Sequence, residues 1–201
     1  METLQAADLI VLSPGVSPHQ AGVETARRRG TPMISEIELA ARWLRGRIVA
    51  VTGTKGKSTT TVLTGRMFSE GGKNAVIGGN IGTALSSQVE ESRPDVVHVV
   101  EVSSFQLEFI DTFKPWIAVC LNLSPDHLDR HESFNAYVEA KARIFANQTE
   151  DDAMVVNADD PRVLEIARCG RAQRFLFSIK SVPDGGIGVI DNVITLSLIH
   201  I

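Results

Sequence analysis

The stretch Gly53-Thr54-Lys55-Gly56-Lys57-Ser58-Thr59 constrains this chain more than any other. Before it, the apolar run Ile48-Val49-Ala50-Val51 reads as a buried strand, and after it Thr60 to Phe68 reads as a helix. A glycine turn between strand and helix aims backbone N–H groups and the positive end of the helix at an anion. Lys57 then reaches the outer phosphates of a nucleotide, and the Ser58 hydroxyl serves as a ligand for Mg²⁺. The loop is shorter than the usual Gly-x-x-x-x-Gly-Lys-Ser/Thr, because Gly53 and Gly56 lie three positions apart. A bare Gly-Lys-Ser also occurs in ordinary surface loops; the flanking strand and helix are what mark Gly53 to Thr59 as a site for ATP or GTP.

Strand and helix signals alternate on both sides of this unit. Upstream, a strand over Ala7 to Leu12 and the turn Ser13-Pro14-Gly15 lead into a helix that Gly30 stops. A short strand at Pro32 to Ile34 follows, then Ser35-Glu36-Ile37-Glu38 as a capping box opening a helix through Leu44. Downstream, strands are expected at Ala75 to Gly78, Val96 to Val102, Trp116 to Leu123, Ala153 to Asn157 and near Phe175. The helices between them are expected over Thr83 to Glu91, Phe105 to Phe113, Ser133 to Asn147 and Asp160 to Arg168, the last capped by Asp160 with Pro161 at its first position. A hairpin around Asp191-Asn192 closes the chain. Continuously apolar strands separated by helices predict an α/β fold with a mostly parallel sheet covered on both faces. The change of pattern near Gly46 divides the chain into residues 1–46 and residues 47–201.

Bulk properties narrow the partners. With 43% hydrophobic and 22% charged residues the chain can build a core and is not a disordered segment. A net charge of -4, and no basic cluster interleaved with aromatics, give no electrostatic case for nucleic acid or an anionic membrane. No apolar run reaches the length of a membrane span. Cys120 and Cys169 lack any Cys-x-x-Cys companion and read as unpaired thiols, which suits a reducing cytoplasm.

Further candidates fall at strand ends. Glu101 closes the apolar strand Val96-Val97-His98-Val99-Val100-Glu101, at the edge where an open parallel sheet collects ligands. A carboxylate there suits Mg²⁺ beside a triphosphate, or else a helix cap or ion pair. His98, in mid-strand, reads as a hydrogen-bonded core histidine. The loop Ser124-Pro125-Asp126-His127-Leu128-Asp129-Arg130-His131 offers two Asp and two His at the same edge. Lys141 shares a helical apolar period with Phe134, Tyr137, Val138, Ile144 and Phe145, so an amine points inward, either snorkelling or functional. Asn80, in Gly78-Gly79-Asn80-Ile81-Gly82, is a candidate substrate contact, and Ser13-Pro14-Gly15 is either an anion-holding turn or a plain strand–helix turn.

Five ordered motifs then converge: Gly53 to Thr59, Gly79-Asn80-Ile81-Gly82, Glu101-Val102-Ser103-Ser104-Phe105-Gln106-Leu107-Glu108, Asn122 to Arg130, and Ala140-Lys141. Together they resemble the ATP-dependent Mur ligase family of peptidoglycan synthesis, from about Asp8 to about Asp160. The Glu-x-Ser-Ser-Phe-Gln-Leu-Glu run is similar to the branch that joins D-glutamate to UDP-N-acetylmuramoyl-L-alanine. The resemblance implies a P-loop NTPase-like central domain over 47–201, preceded over 1–46 by the second half of a Rossmann-like UDP-substrate domain. It implies ATP and Mg²⁺ as cofactors, Lys57 on the γ-phosphate, Ser58 and Glu101 on one Mg²⁺, and His127 on a second. It further implies a carbamylated Lys141, which explains an inward lysine better than snorkelling does. Ser13-Pro14-Gly15 would approach the substrate diphosphate, Asn80 the muramoyl part, and the protein would act as a cytoplasmic monomer.

Both ends read as cut against the family pattern. The C-terminal domain, with the D-glutamate site and part of the ATP site, is expected to be missing, and the tail from about Ser181 matches poorly. The chain alone is therefore expected to be inactive as a ligase. A sister ligase such as folylpolyglutamate synthase, a non-ligase ATPase or kinase, and an inert nucleotide-binding module are the alternatives at this stage.

Overall fold

The computed structural model describes residues 4, 6–17, 19–126 and 130–197. The opening segment runs β1 (Ile10–Leu12), α1 (Ala21–Arg28), β2 (Met33–Ser35) and α2 (Glu36–Ala41), with β1 and β2 paired in parallel as a small separate sheet. Then come β3 (Arg47–Thr52), α3 (Lys57–Glu70), β4 (Asn74–Gly79), β5 (Val96–Glu101), α4 (Ser104–Leu107) and β6 (Ile117–Cys120). They are followed by α5 (Phe134–Ala142), β7 (Ala153–Asn157), α6 (Pro161–Ala167), β8 (Gln173–Phe177), β9 (Ile187–Ile190) and β10 (Val193–Leu196).

These last eight strands form one sheet in the order β10-β9-β8-β7-β6-β3-β5-β4. Every neighbouring pair is parallel except the β9–β10 hairpin, as continuously apolar strands separated by helices predict. Strand β3 lies inside the sheet, and its residues Ile48 to Thr52 are all buried, which is why that run carries no polar alternation. From β3 the chain builds outward through β5 and β4 on one side and through β6, β7 and β8 on the other. The loops leaving β3, β5 and β6 therefore meet at the point where the winding reverses, the place where open α/β sheets bind ligands. At the hairpin, Asp191 and Asn192 adopt φ of 48° and 63°, the left-handed pair that a two-residue turn between twisted strands requires.

The opening segment is packed onto the central sheet. Ile37 and Ala40 of α2 sit in the same core as Val100, Leu107, Phe113, Ile144 and Met154. Beside them the fully buried Glu38 carboxylate accepts from the N–H groups of Asp111, Thr112 and Phe113 at 2.9, 3.0 and 2.7 Å, and from Arg42 Nε at 2.8 Å. Burial alone would raise its pKa, but these donors outweigh it and hold the group down at about 2.

Glu38 also accounts for two departures from the sequence expectations. Ser35 caps α2 by accepting from Glu38 N at 3.4 Å, yet the Glu38 side chain does not return the bond, so the expected capping box is only half made. The helix expected from Phe105 to Phe113 shrinks to the four residues of α4, because the N–H groups of 111–113 go to Glu38. The Leu107 and Ile110 carbonyls go to Arg143 instead. A real capping box stands at α4 itself, between Ser103 and Gln106. Thr83 to Glu91 holds only a 3₁₀ turn over Leu85–Gln88, and the helix from Ser133 tightens to 3₁₀ at Arg143–Phe145. The first strand begins at Ile10 rather than Ala7. His98 is a core histidine, as expected, held between Ser92 Oγ at 2.8 Å and Gln88 Oε1 at 2.7 Å.

Candidate functional site

Strand β3 delivers its loop directly to the reversal point. Gly56 has φ of 83°, a left-handed residue that turns the chain into α3, and Lys57 is the first residue of that helix. The backbone N–H groups of the first turn and the helix dipole both face the loop's concave side. Lys57 Nζ donates to the Thr54 carbonyl at 3.0 Å, a weak internal tie that a phosphate oxygen would replace.

The loop is braced from β6. Asn122 Oδ1 accepts from Thr54 N at 3.1 Å and Lys55 N at 2.8 Å, while Asn122 Nδ2 donates to the Lys55 carbonyl at 3.0 Å. The hydroxyls of Thr54 and Tyr137 lie 2.9 Å apart, joining the loop to α5. Burial pushes the Tyr137 phenol up to about 12, so it stays protonated and available to share that bond.

Glu101 is 2% exposed and bonds Ser58, expected beside it, and Asn80, which the sequence marked only as a substrate contact. Parallel register sets Glu101 against Val51, two residues before the loop begins at Gly53. Ser58 Oγ donates to Glu101 Oε2 at 2.7 Å, and Asn80 Nδ2 donates to Oε1 at 2.8 Å. A hydroxyl and a carboxylate side by side at a phosphate loop are the oxygen donors that Mg²⁺ takes, with substrate oxygens and water completing its shell. The donor set therefore fits that ion. Among the described residues no group of three or more His, Cys, Asp and Glu converges as a denser metal site. His127, expected at a second Mg²⁺, lies outside the described residues, as do Leu128 and Asp129.

Lys141 points inward, as its helical position predicts, and is 2% exposed. Its Nζ donates to Thr52 Oγ1 at 3.3 Å and stands 4.8 Å from the Tyr137 ring centre. Among the described residues no carboxylate lies within ion-pair distance of it. Burial, and next the charge of Lys57, lower its pKa to about 8. Roughly a tenth of the amine is then neutral at neutral pH, far more than for a solvent-exposed lysine.

Lys57, Asn80, Tyr137 and Lys141 share one cleft of about 260 Å³ with Pro14, Gly15, Ser103 to Phe105 and Asp126, while Ser58 and Glu101 do not line it. Ser13 does not line it; its carbonyl accepts from Val16 N at 3.0 Å and closes the turn. A roomier groove of about 550 Å³ between α5 and α6 holds none of the predicted site residues.

Residues 51–185 match the family profile described as the Mur ligase middle domain. The chain belongs to the Mur ligase family. It is 49% identical over 176 residues to the UDP-N-acetylmuramoylalanine–D-glutamate ligase of Koribacter versatilis, covering 88% of this chain and 39% of that protein. The same-named ligase of Pelotomaculum thermopropionicum is 46% identical over 194 residues, with 96% of this chain and 43% of that protein covered. The chain thus spans about two fifths of the length of these curated relatives. Among solved Mur ligase structures, a UDP-N-acetylmuramoyl-L-alanyl-D-glutamate–2,6-diaminopimelate ligase superposes with a TM-score of 0.61 at 20% identity, over 94% of this chain and 49% of that one. The MurF ligase of Thermotoga maritima in complex with ADP gives 0.59 at 19%, over 93% and 53%. At such identities the likeness shows the shared fold.

Sequence reasoning did not single out Asn122 or Tyr137 as site residues, although both lie in or beside the quoted motifs. Asn122 follows an apolar strand in the same way as Glu101, and that signal was available to find it. Tyr137 hid behind its helical period, since an aromatic at an inward position reads first as core.

Proposed function

We propose that this chain is the ATP-handling part of a ligase that joins D-glutamate to UDP-N-acetylmuramoyl-L-alanine in peptidoglycan precursor synthesis. The observation that carries it is the shared cleft, in which Lys57 of the phosphate loop meets Asn80, Lys141 and the Pro14-Gly15 turn. The name printed for relatives at 46% and 49% identity supplies the substrate pair. Residues 1–46 are read as the second half of a UDP-substrate unit and 47–201 as the central ATP unit; the separate β1–β2 sheet supports that division. No helix among the described residues is long and apolar enough to cross a membrane, and the thiols of Cys120 and Cys169 are free, which favours a cytoplasmic setting.

The reaction has two steps. The terminal alanine carboxylate takes the γ-phosphoryl group of ATP, releasing ADP; the D-glutamate amine then attacks the acyl carbon, expels phosphate and loses a proton. Gly53, Thr54, Lys55, Gly56 and Thr59 shape the phosphate loop, and Lys57 neutralises charge on the outer phosphate. Ser58 and Glu101 would hold Mg²⁺, which when bound stabilises charge on the transferred group. Asn80 orients Glu101 through its amide and, as a lining residue of the cleft, is assigned to the muramoyl part of the substrate. The neutral fraction of Lys141 can add CO₂ at Nζ with loss of a proton, giving a carbamate oxygen donor, and His127 is assigned to a second Mg²⁺. Pro14 and Gly15 are assigned to the substrate diphosphate, with Ser13 closing the turn behind them.

The test is phosphate release by the ligase-active polypeptide that contains these residues, with ATP and the UDP-linked substrate present. Phosphate should appear in step with D-glutamate consumed, and Lys57→Ala should lower turnover by about 100-fold or more. Hydrolysis that ignores D-glutamate would refute the ligase reading.

A further inference from the structure

The loop after β6 reaches across to the opening segment through one side chain. Arg130 Nη1 donates to the Pro14 carbonyl at 2.9 Å and Nη2 donates to the Val16 carbonyl at 2.7 Å. The two prongs of the guanidinium thus straddle Gly15. Behind them the guanidinium carbon sits 3.7 Å from the Phe105 ring centre, and Phe105 stacks on His131 at 5.2 Å. His131 is fixed in turn by Ser104 Oγ at 2.9 Å and lies edge-on to Tyr137 at 5.3 Å. The fork is therefore mounted on the same loop and helix that line the cleft.

We propose that Arg130 is a positioning residue that sets the anion-receiving face of the Ser13–Val16 turn. A peptide carbonyl and the N–H of the next residue point in opposite directions. Drawing the Pro14 carbonyl toward Arg130 turns the Gly15 N–H the other way. Pro14 and Gly15 line the cleft and Arg130 does not, so the amide faces the side where ligand enters. Among the described residues no acceptor takes the Gly15 N–H. The guanidinium also offsets two carbonyl dipoles that would repel an incoming anion if they swung around. Lysine would supply the charge but not two parallel donors in a fixed plane, so it cannot hold both carbonyls at once. The inference rests on the reading above that this turn takes the diphosphate of a UDP-linked substrate.

Two measurements test it. In the ligase-active polypeptide, Arg130→Lys and Arg130→Ala should each raise KM for the UDP-linked substrate by about tenfold, with KM for ATP moving by less than about twofold. A merely structural role would lower Tm and move both KM values together, and that result, or an unchanged KM for the UDP-linked substrate, overturns the proposal. In the 201-residue chain itself, hydrogen exchange in the peptide covering residues 10–20 should speed up by about tenfold in both variants while α5 amides keep their rates. Unchanged exchange there overturns it as well. If the unaltered polypeptide forms no ligase product, the functional reading falls, and the exchange experiment still decides the role of Arg130.

Discussion

Lys141→Met removes a buried ammonium while keeping most of the side-chain volume, and it should make the protein more stable at neutral pH. In the fold the amine titrates at about 8, against 10.5 for the unperturbed group. The gap is about 2.5 pH units, and at 1.36 kcal/mol each the fold disfavours the charged form by about 3 kcal/mol. Methionine avoids that term and forfeits the hydrogen bond to Thr52 Oγ1, worth about 1 kcal/mol, for a net gain of about 2 kcal/mol. The pH dependence has a definite sign. The folded pKa is depressed, so the parent chain recovers stability as pH rises from about 8 to 10.5, and the variant's advantage fades across that window. Urea unfolding of both proteins in CO₂-free buffer, at about pH 7 and about pH 11, reads the difference directly, because all other titrations cancel between them. A stability difference that does not change with pH, or a loss of stability in Lys141→Met at neutral pH, would refute the reasoning.

Other expectations follow from the same contacts. Glu38 has its pKa held at about 2 against 4.5, so its contribution is present above about pH 4.5 and disappears as pH falls toward 2. Acid unfolding of the parent should steepen by about 3 kcal/mol over that range relative to Glu38→Gln, and parallel curves would count against the Glu38 clasp. Gly79 has φ of 98°, and a Cβ there would fall 2.4 Å from the Glu101 carbonyl oxygen. Gly79→Ala should therefore cost more than about 2 kcal/mol by thermal unfolding, and a variant as stable as the parent would show that β4 and β5 can separate freely.

Much of this architecture was readable in the residues because the strands are buried on both faces. Val96 to Glu101 and Ile48 to Thr52 carry no alternation that a helix could imitate, and glycine turns bound them. What misled was local helical propensity around Phe105 and Thr83. Past Phe105 the backbone N–H groups and carbonyls find partners far along the chain, on Glu38 and Arg143, and past Thr83 the Ser86 N–H goes to Glu36; no window of neighbouring residues reveals that. Lys57, Ser58, Glu101, Asn80 and Lys141 were legible because each breaks its surroundings: a cation after glycine, a carboxylate after valines, an amine among aromatics. Arg130 was harder, since an arginine in a polar loop breaks nothing until its partners are known.

The brace at Asn122 ties the phosphate loop to the integrity of the sheet. The phosphate loop's shape is held by a side chain 67 residues further on, at the end of a different strand. Any local opening that frees β6 from β3 also slackens the loop, and by thermodynamic reciprocity a nucleotide that needs the ordered loop will in turn secure β6. On the proposed reading, ATP would then act on this domain as a tether as well as a substrate, fastening the middle of the sheet while it is bound and loosening it on departure.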